Sequence, residues 1–240
     1  MEIFIDSADL SEIETWIDQG VIDGVTTNPS ILLKDRVFDI ESGIKTIAEA
    51  IGDRPLSVEV TTDNQEEMLV QAREFASWAE NIVVKIPVIN QYGHPCLGVI
   101  SALARENIKV NVTGILSYNQ IVLAAKAGGT YLSIFAGRVC DEGHDGAELI
   151  SNSVRFTEKW GFGKILAGSI RGAFDVQTAA TAGAHIVTVP PQFLNKMVDH
   201  KYTRETIKEF INNAEQAMEE IGRLSGNVTD IFPDRKEIAQ

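Results

Sequence analysis

The sequence is poor in cysteine and in basic residues. Its 240 residues include only two cysteines, Cys96 and Cys140. Neither stands in a spacing typical of metal ligands, which argues against a disulfide framework and against a structural zinc site. Lysine and arginine number 21 against 34 aspartates and glutamates, so the formal net charge is -13. Such a charge opposes non-specific binding to nucleic acid and to anionic membranes.

The sequence also lacks a long apolar run. No stretch approaches the roughly 18 consecutive apolar residues of a membrane-spanning helix. Residues 1–6 carry acids where a signal peptide carries basic residues followed by an apolar segment. We therefore expect a soluble, cytoplasmic protein without nucleic-acid or membrane partners. With 44% hydrophobic residues, the chain can bury one substantial core, in one large domain or two small ones.

Short β-rich runs alternate with segments of helical periodicity along the chain. Eight runs are candidate strands, at 3–6, 24–27, 56–61, 82–86, 110–113, 131–135, 165–169 and 186–189. Each is almost entirely apolar, as in parallel sheets that helices cover. The pattern predicts the α/β class, with a single (β/α)8 TIM barrel. An open doubly wound sheet is the alternative, although residues 6–9 lack the Gly-x-Gly-x-x-Gly motif of such sheets.

The last part of the sequence predicts one additional helix, at residues 203–224. Its apolar stripe consists of Ile207, Phe210, Ile211, Ala214, Met218 and Ile221. Ordinary helix packing explains this stripe, and docking on a neighbouring subunit is the alternative. We expect residues 1–224 to form the barrel domain, with this helix included, and residues 225–240 to form a C-terminal tail.

Polar side chains recur where the predicted strands end. In a (β/α)8 barrel the reacting groups lie at the carboxyl ends of the strands, so these side chains are expected to share one mouth. Seven strands contribute such residues, whereas the eighth ends in the apolar run 189–191. The residues are Asp6, Thr26, Thr27, Asn28, Glu59, Lys85, Asn111, Thr113, Ser133, Arg138, Ser169 and Arg171. Polar ends on seven strands indicate a functional site.

Lys85 lies inside the apolar run NIVVKIPV at 81–88. Burial disfavours the charged form of a lysine, which leaves neutral amine to attack a ketone and form a Schiff base. Asp6, at the rim, is the expected acid/base group, and Glu59 can hold the water that carbinolamine dehydration releases. Thr113 and Asn111 are expected to fix this water and the substrate hydroxyls. The alternative is a structural lysine with a packed stem and its head group on a carboxylate.

Two arginines point to a class of substrate. Arg138 and Arg171 follow strands six and seven, and Ser169 precedes Arg171 closely. Guanidinium groups beside a hydroxyl suit the oxygens of a phosphate. A phosphorylated sugar is therefore the predicted substrate, and surface ion pairs with the many acidic residues are the alternative.

A series of ordered motifs covers nearly the whole chain to about residue 215. They are Asp6, GVTTNPS at 24–30, VVKIP at 83–87, NVT at 111–113, AAKAGGTYLSIFAGR at 124–138, GHDG at 143–146, AGSIR at 167–171 and AGAHIVTVP at 182–190. At these motifs the sequence resembles the transaldolase family, in particular its short branch, which also contains fructose-6-phosphate aldolase.

The resemblance implies a class I enzyme that needs no metal and no cofactor and forms a dihydroxyacetone Schiff base on Lys85. It also implies a homo-oligomer, with a pentamer and a decamer as candidates. The implied roles are Asp6 as proton shuttle, Asn28 and Asn111 as ligands of the dihydroxyacetone unit, Glu59 and Thr113 as holders of the catalytic water, and Arg138, Ser169 and Arg171 as the phosphate site. Thr27, Ser133 and Phe135 complete the expected substrate contacts.

Two positions separate the activities within this family. The aldolases resemble one another in having Gln at position 59 and Tyr at position 135, whereas transaldolases have Glu and Phe. This sequence has Glu59 and Phe135. A tyrosine hydroxyl can help to protonate the enamine and so release dihydroxyacetone, whereas a phenyl ring leaves the enamine to an aldehyde acceptor.

These residues predict a transaldolase of the pentose phosphate pathway. It transfers a dihydroxyacetone unit from fructose 6-phosphate or sedoheptulose 7-phosphate to an aldose acceptor. Aldolase-type cleavage and action on a variant sugar are the enzymatic alternatives. A barrel that binds a sugar phosphate without turnover is the alternative from another class.

The loop after the fourth strand departs from the family. Residues 89–96 read INQYGHPC, a few residues more than the compact turn of the short transaldolases. Loops after barrel strands surround the mouth and govern the choice of substrate. We therefore expect this loop to overhang the mouth and to influence which sugars bind.

Overall fold

A computed structural model describes residues 1–225, with side chains described as far as residue 223. The chain divides into two compact units, one of residues 1–195 and one that begins at residue 196. Apart from Ser225, the predicted tail at 225–240 lies outside the described residues. The assignment of residues 1–224 to one domain stays a prediction.

The first unit contains a closed barrel of parallel strands. The strands are β1 (Glu2–Asp6), β2 (Gly24–Thr26), β3 (Leu56–Glu59), β4 (Ile82–Pro87), β5 (Val110–Ile115), β6 (Tyr131–Phe135), β7 (Lys164–Gly168) and β8 (Ile186–Val189). Each strand pairs with the next, and β8 pairs with β1 to close the sheet. The predicted (β/α)8 barrel is therefore confirmed, and the open sheet is excluded.

Helices follow the strands and cover the outer face of the sheet. They are α1 (Leu10–Asp18), α2 (Pro29–Lys34), α3 (Ile40–Ala50), α4 (Gln65–Trp78), α5 (Leu97–Arg105), α6 (Tyr118–Ala127), α7 (Ala136–Asp141), α8 (Gly146–Trp160), α9 (Ala173–Thr181) and α10 (Pro191–Val198). Capping residues set their limits. Asp9 accepts hydrogen bonds from the first backbone N–H groups of α1, and Gly128, with φ of 100°, ends α6.

The interior of the barrel has an apolar layer, here called the apolar plug. Its members are Phe4, Val83, Tyr131, Leu166 and Ile186. Gly24 leaves room for this layer, because a Cβ atom at that position would lie 2.7 Å from the ring of Phe4. The apolar plug therefore closes the barrel beneath the residues that come next along each strand.

A polar layer lies directly above the apolar plug. Side chains of a strand alternate between its two faces, so the residue two positions after each member of the plug also points inwards. Lys85 follows Val83 in this way, Asp6 follows Phe4, and Thr188 follows Ile186. The polar layer consists of Asp6, Thr26, Ser57, Lys85, Asn111, Ser133 and Thr188.

The second unit is described through its helix α11 (Lys201–Ser225), which confirms the predicted last helix. Ile207, Phe210 and Ile211 of the predicted stripe are exposed. Among the described residues, no helix combines the length and the apolar character that a membrane span requires.

Candidate active site

Lys85 lies at the centre of the polar layer with 6% of its surface exposed. Its Nζ donates a hydrogen bond of 2.9 Å to the backbone carbonyl of Thr27 and lies 3.3 Å from Glu59 Oε2. Glu59 is the register partner of Lys85 on the neighbouring strand β3, which accounts for the short distance. The head group of Lys85 thus faces the barrel interior and meets both a carbonyl and a carboxylate there.

A cavity of about 140 Å³ opens above this layer at the carboxyl ends of the strands. Ten residues predicted from the sequence line it: Asp6, Thr26, Asn28, Lys85, Asn111, Thr113, Ser133, Phe135, Arg138 and Ser169. Glu59 reaches Lys85 from the side. The structure therefore brings most of the predicted side chains to one mouth.

Asp6 ends β1 and is held by a neighbouring strand. The hydroxyl of Thr26 donates a hydrogen bond of 2.6 Å to Asp6 Oδ1. Burial raises the pKa of Asp6 above its ordinary value, although the positive charge of Lys85 and the bond from Thr26 oppose the shift. Asp9, and not Asp6, caps α1. Asp6 is therefore a carboxyl group in the cavity with a raised affinity for a proton.

Asn111 is fixed by hydrogen bonds on both ends of its amide. Its Nδ2 donates to Ser57 Oγ at 3.0 Å, and Ser133 Oγ donates to its Oδ1 at 2.6 Å. All three side chains are buried. In this arrangement one N–H of Nδ2 is left for a further acceptor.

Thr113 presents a buried hydroxyl group to the same cavity. Within the described part of the chain, its Oγ1 has no hydrogen-bond partner. A buried hydroxyl without a partner is unfavourable by about 1–3 kcal/mol. Because the group faces the cavity, a water molecule or a substrate oxygen would satisfy it.

Arg138 and Ser169 form the side of the cavity near β6 and β7. The guanidinium carbon of Arg138 lies 5.0 Å from the centre of the Phe135 ring. Ser169 has φ of 60°, a conformation that is uncommon outside glycine and that recurs at functional sites. Gly137 permits this arrangement, since a Cβ atom there would lie 2.0 Å from the carbonyl oxygen of Ser169.

The predicted pair of arginines is divided in the structure. Arg171 does not line the cavity, and its Nη2 lies 2.7 Å from Asp141 Oδ2 in an exposed ion pair. The expectation that Arg171 faces the site together with Arg138 is not met. The guanidinium group of Arg171 pairs instead with Asp141, at the end of α7.

Thr27 also differs from its expected place. Its side chain is fully buried and donates to the carbonyl of Ser57, while its own carbonyl accepts from Lys85. The adjacent Thr26 lines the cavity instead. Thr27 therefore contacts the lysine with its backbone and not the cavity with its hydroxyl.

Strand β8 contributes a polar residue that the sequence analysis missed. The strand was expected to be apolar at its end, but Thr188 lines the cavity. Its spacing of two from the buried Ile186 equals that of Lys85 from Val83, and this alternation was the available indication. Ser57 was missed as well, since it acts from the side through Asn111.

The loop at 89–96 folds back on itself. Ile89 and Pro95 form an antiparallel bridge, and Asn90 Oδ1 accepts from the backbone N–H groups of Tyr92 and His94. Asp63 accepts from the backbone of residue 91, which ties the loop to the segment after β3. Of the described residues that line the cavity, none belongs to this loop. The expectation that the loop overhangs the mouth and influences which sugars bind stays a prediction.

Comparison with known proteins identifies the family. Residues 3–237 match the model of the transaldolase/fructose-6-phosphate aldolase family. The chain belongs to this family. A probable transaldolase of Streptococcus equi subsp. zooepidemicus is 42% identical over 214 residues, which cover 89% of this chain and 97% of the relative. A probable transaldolase of Dehalococcoides mccartyi is 40% identical over 212 residues, or 88% and 96% of the two chains.

Solved structures at low sequence identity support the fold alone. Thiamine phosphate pyrophosphorylase from Pyrococcus furiosus superposes with a TM-score of 0.55 at 12% identity, over 79% of this chain and 85% of that chain. A mandelate oxidase gives a TM-score of 0.53 at 19% identity, over 76% and 59%. The resemblance to the transaldolase/fructose-6-phosphate aldolase family is thus confirmed by sequence, and the barrel by structure.

We predict that Asp6→Asn makes the protein more stable at neutral pH. The pKa of Asp6 is raised in the folded state. Its contribution to the free energy of unfolding is therefore fully present below the ordinary pKa of 3.8 and is lost as the pH rises through the folded pKa. The advantage of the variant should therefore disappear in acid. Urea unfolding at a series of pH values measures it.

Asp9→Asn is the matched control, because hydrogen bonds led by that from Ser11 lower the pKa of Asp9. Its ionised form stabilises the fold, so this variant should lose stability at neutral pH. An Asp6→Asn variant that is no more stable than the wild type at neutral pH would contradict the raised pKa.

Proposed function

We propose that the protein is a transaldolase that transfers a dihydroxyacetone unit between sugar phosphates through a Schiff base on Lys85. The observation that carries the proposal is the position of the Lys85 amine, which is buried in the polar layer 3.3 Å from Glu59 and shares its cavity with Asp6. Membership of the family and the names of the relatives support it. We assign it to cytoplasmic carbohydrate metabolism, in the pentose phosphate pathway.

The first step is attack of the neutral Lys85 amine on the C2 carbonyl of a ketose phosphate. The nitrogen–carbon bond forms, and one proton of the amine passes to the carbonyl oxygen to give the carbinolamine. A second proton, taken from solvent, lets this oxygen leave as water and gives a protonated imine. Glu59 is close enough to exchange protons with the amine. The unpartnered hydroxyl of Thr113 suits the departing water.

The second step is cleavage of the C3–C4 bond. Asp6 takes the proton of the C4 hydroxyl, the bond electrons move into the imine, and an aldose phosphate leaves as the enamine forms. Asn111, held by Ser57 and Ser133, has an N–H group free to bind a hydroxyl of the bound three-carbon unit. Asn28 also lines the cavity, and we assign it to the same unit. An acceptor aldehyde then reverses these bond changes.

The phosphate is assigned to Arg138 and Ser169, which line the cavity. Arg171 belongs to this site only if it exchanges Asp141 for the phosphate. An exposed ion pair of this kind is worth about 1 kcal/mol or less, so a doubly charged ligand can displace Asp141. The proposed site therefore uses Arg138, and Arg171 joins it as a second arginine when a phosphate displaces Asp141.

The phenyl ring of Phe135 favours transfer over release of free dihydroxyacetone. Phe135 lines the cavity and has no hydroxyl to protonate the enamine carbon. The guanidinium group of Arg138 lies over its ring, in a cation–π contact. The enamine thus persists until an acceptor aldehyde arrives.

We also propose that the protein is a homo-oligomer, with a pentamer and a decamer as candidates. Exposed Ile207, Phe210 and Ile211 on α11 support an interface there, because contiguous exposed apolar side chains mark surfaces that pack on other proteins.

The Lys85→Ala variant should form no covalent adduct. Wild-type protein incubated with fructose 6-phosphate and reduced with borohydride should gain the mass of one reduced substrate-derived adduct per chain. Transfer to erythrose 4-phosphate should fall by about three orders of magnitude or more in the variant, because the nucleophile is lost. Lys45→Ala, in an exposed pair with Glu41, is the control and should behave as the wild type. Absence of an adduct on the wild type would leave a sugar-phosphate-binding barrel without turnover.

The Phe135→Tyr variant should cleave fructose 6-phosphate without an acceptor at least about tenfold faster than the wild type, because the new hydroxyl can protonate the enamine. Release of dihydroxyacetone in the absence of erythrose 4-phosphate measures the effect. Phe135→Leu removes the ring without adding a hydroxyl and should show no such gain. Equal cleavage by wild type with and without the acceptor would make the protein an aldolase.

A further inference from the structure

Thr188 is a buried threonine of β8 that the steps above do not use. It is 5% exposed and lines the cavity. Its Oγ1 lies 2.5 Å from Oγ1 of Thr26 on β2, and Thr26 in turn lies 2.6 Å from Asp6 Oδ1. Strands β8 and β2 flank β1, so the two threonines approach Asp6 from the strands on either side of it. The three side chains form one continuous chain of hydrogen bonds.

The direction of this chain follows from the protons that are present. Thr26 has a single hydroxyl proton, and an ionised Asp6 can only accept hydrogen bonds, so Thr26 donates its hydrogen bond to Asp6. The hydrogen bond between Thr26 and Thr188 must then use the hydroxyl proton of Thr188. Thr188 thus donates to Thr26, and Thr26 donates to Asp6. The hydroxyl group of Thr188 matters because it donates the hydrogen bond that orients Thr26.

We propose that Thr188 is a positioning residue for the proton transfer, which keeps the Thr26 hydroxyl on Asp6 Oδ1 and reserves Oδ2 for the substrate. This inference rests on the proposed function. Among the described residues, the Asp6 carboxyl accepts one hydrogen bond, from Thr26 at Oδ1. Oδ2 is therefore the oxygen that takes the C4 hydroxyl proton during cleavage and returns it to the aldehyde oxygen during transfer.

The same arrangement serves both protonation states of Asp6. When the proton arrives on Oδ2, Oδ1 becomes the carbonyl oxygen of a neutral acid and still accepts from Thr26. Neither threonine has to rotate between cleavage and transfer. Fixed donors of this kind spare the reorganisation that accompanies proton transfer in water.

Removal of the Thr188 hydroxyl removes the hydrogen bond that Thr26 accepts, and the Thr26 hydroxyl is then free to turn away from Asp6. Lys85 on β4, Glu59 on β3 and Lys34 on α2 also act on the Asp6 carboxyl, and all three stay unchanged in a Thr188 variant. A hydrogen bond to the ionised form favours that form, so its weakening shifts ionisation of Asp6 to higher pH. Since Asp6 must be ionised to accept the proton, the acidic limb of the rate profile moves in the same direction.

The test compares Thr188→Val, which keeps the shape and removes the hydroxyl, with Thr188→Ser, which keeps the hydroxyl. We expect kcat for transfer to fall about tenfold in Thr188→Val with KM within about twofold of the wild type, as for a misplaced catalytic group. The acidic limb of the kcat profile should move to higher pH. Thr188→Ser should restore both values. If Thr188→Val does not fold, Thr188→Ala takes its place.

A change in unfolding temperature without a change in kcat or in the acidic limb would reduce Thr188 to a packing residue and overturn the inference. Failure of the proposed function has a different outcome, because the wild type would then lack the borohydride adduct on Lys85. NMR titration of the Asp6 carboxyl in wild type and Thr188→Val needs no turnover. Titration of Asp6 at the same pH in both proteins would also overturn the inference.

Discussion

The site depends on the burial of one amine between two carboxyl groups. Lys85 is held inside a closed barrel whose interior beneath the amine is filled by the apolar plug. Glu59 Oε2, 3.3 Å from the amine, compensates its charge, while the pKa of Asp6 is raised by the burial of Asp6 itself and opposed by the charge of Lys85. The affinity of Asp6 for a proton is thus set by its burial and by the groups around it.

The alternation of side chains along the strands explains why a polar layer can lie directly on an apolar one. Four members of the plug, Phe4, Val83, Tyr131 and Ile186, are followed two positions later by an inward residue of the polar layer, and closure of the barrel brings these residues together. Polar groups in this position need partners. Asn111 has Ser57 and Ser133, Asp6 has Thr26, and Thr26 has Thr188. Thr113 retains an unpaired hydroxyl that faces the cavity, and this group is suited to a ligand.

The sequence predicted the barrel because apolar runs of strand length alternate with helical periodicity, and it predicted most of the site because strand ends of a barrel converge. It could not choose between Thr26 and Thr27, since the face on which each residue lies depends on the strand register. Thr188 was overlooked because a threonine between two valines is typical of any buried strand. Arg171 was misplaced because its partner Asp141 is remote in sequence, and only the folded chain brings the two together.

The central claim is that Lys85 is the nucleophile of a site in which Asp6 handles the substrate proton. A crystal structure of the wild-type protein after borohydride reduction with fructose 6-phosphate tests this claim most directly. We expect continuous density from Lys85 Nζ to the substrate C2 atom, with the Thr113 hydroxyl and Asp6 Oδ2 within about 3.2 Å of substrate oxygens. An adduct on another lysine, or a substrate chain on Lys85 that extends away from Asp6, would contradict it.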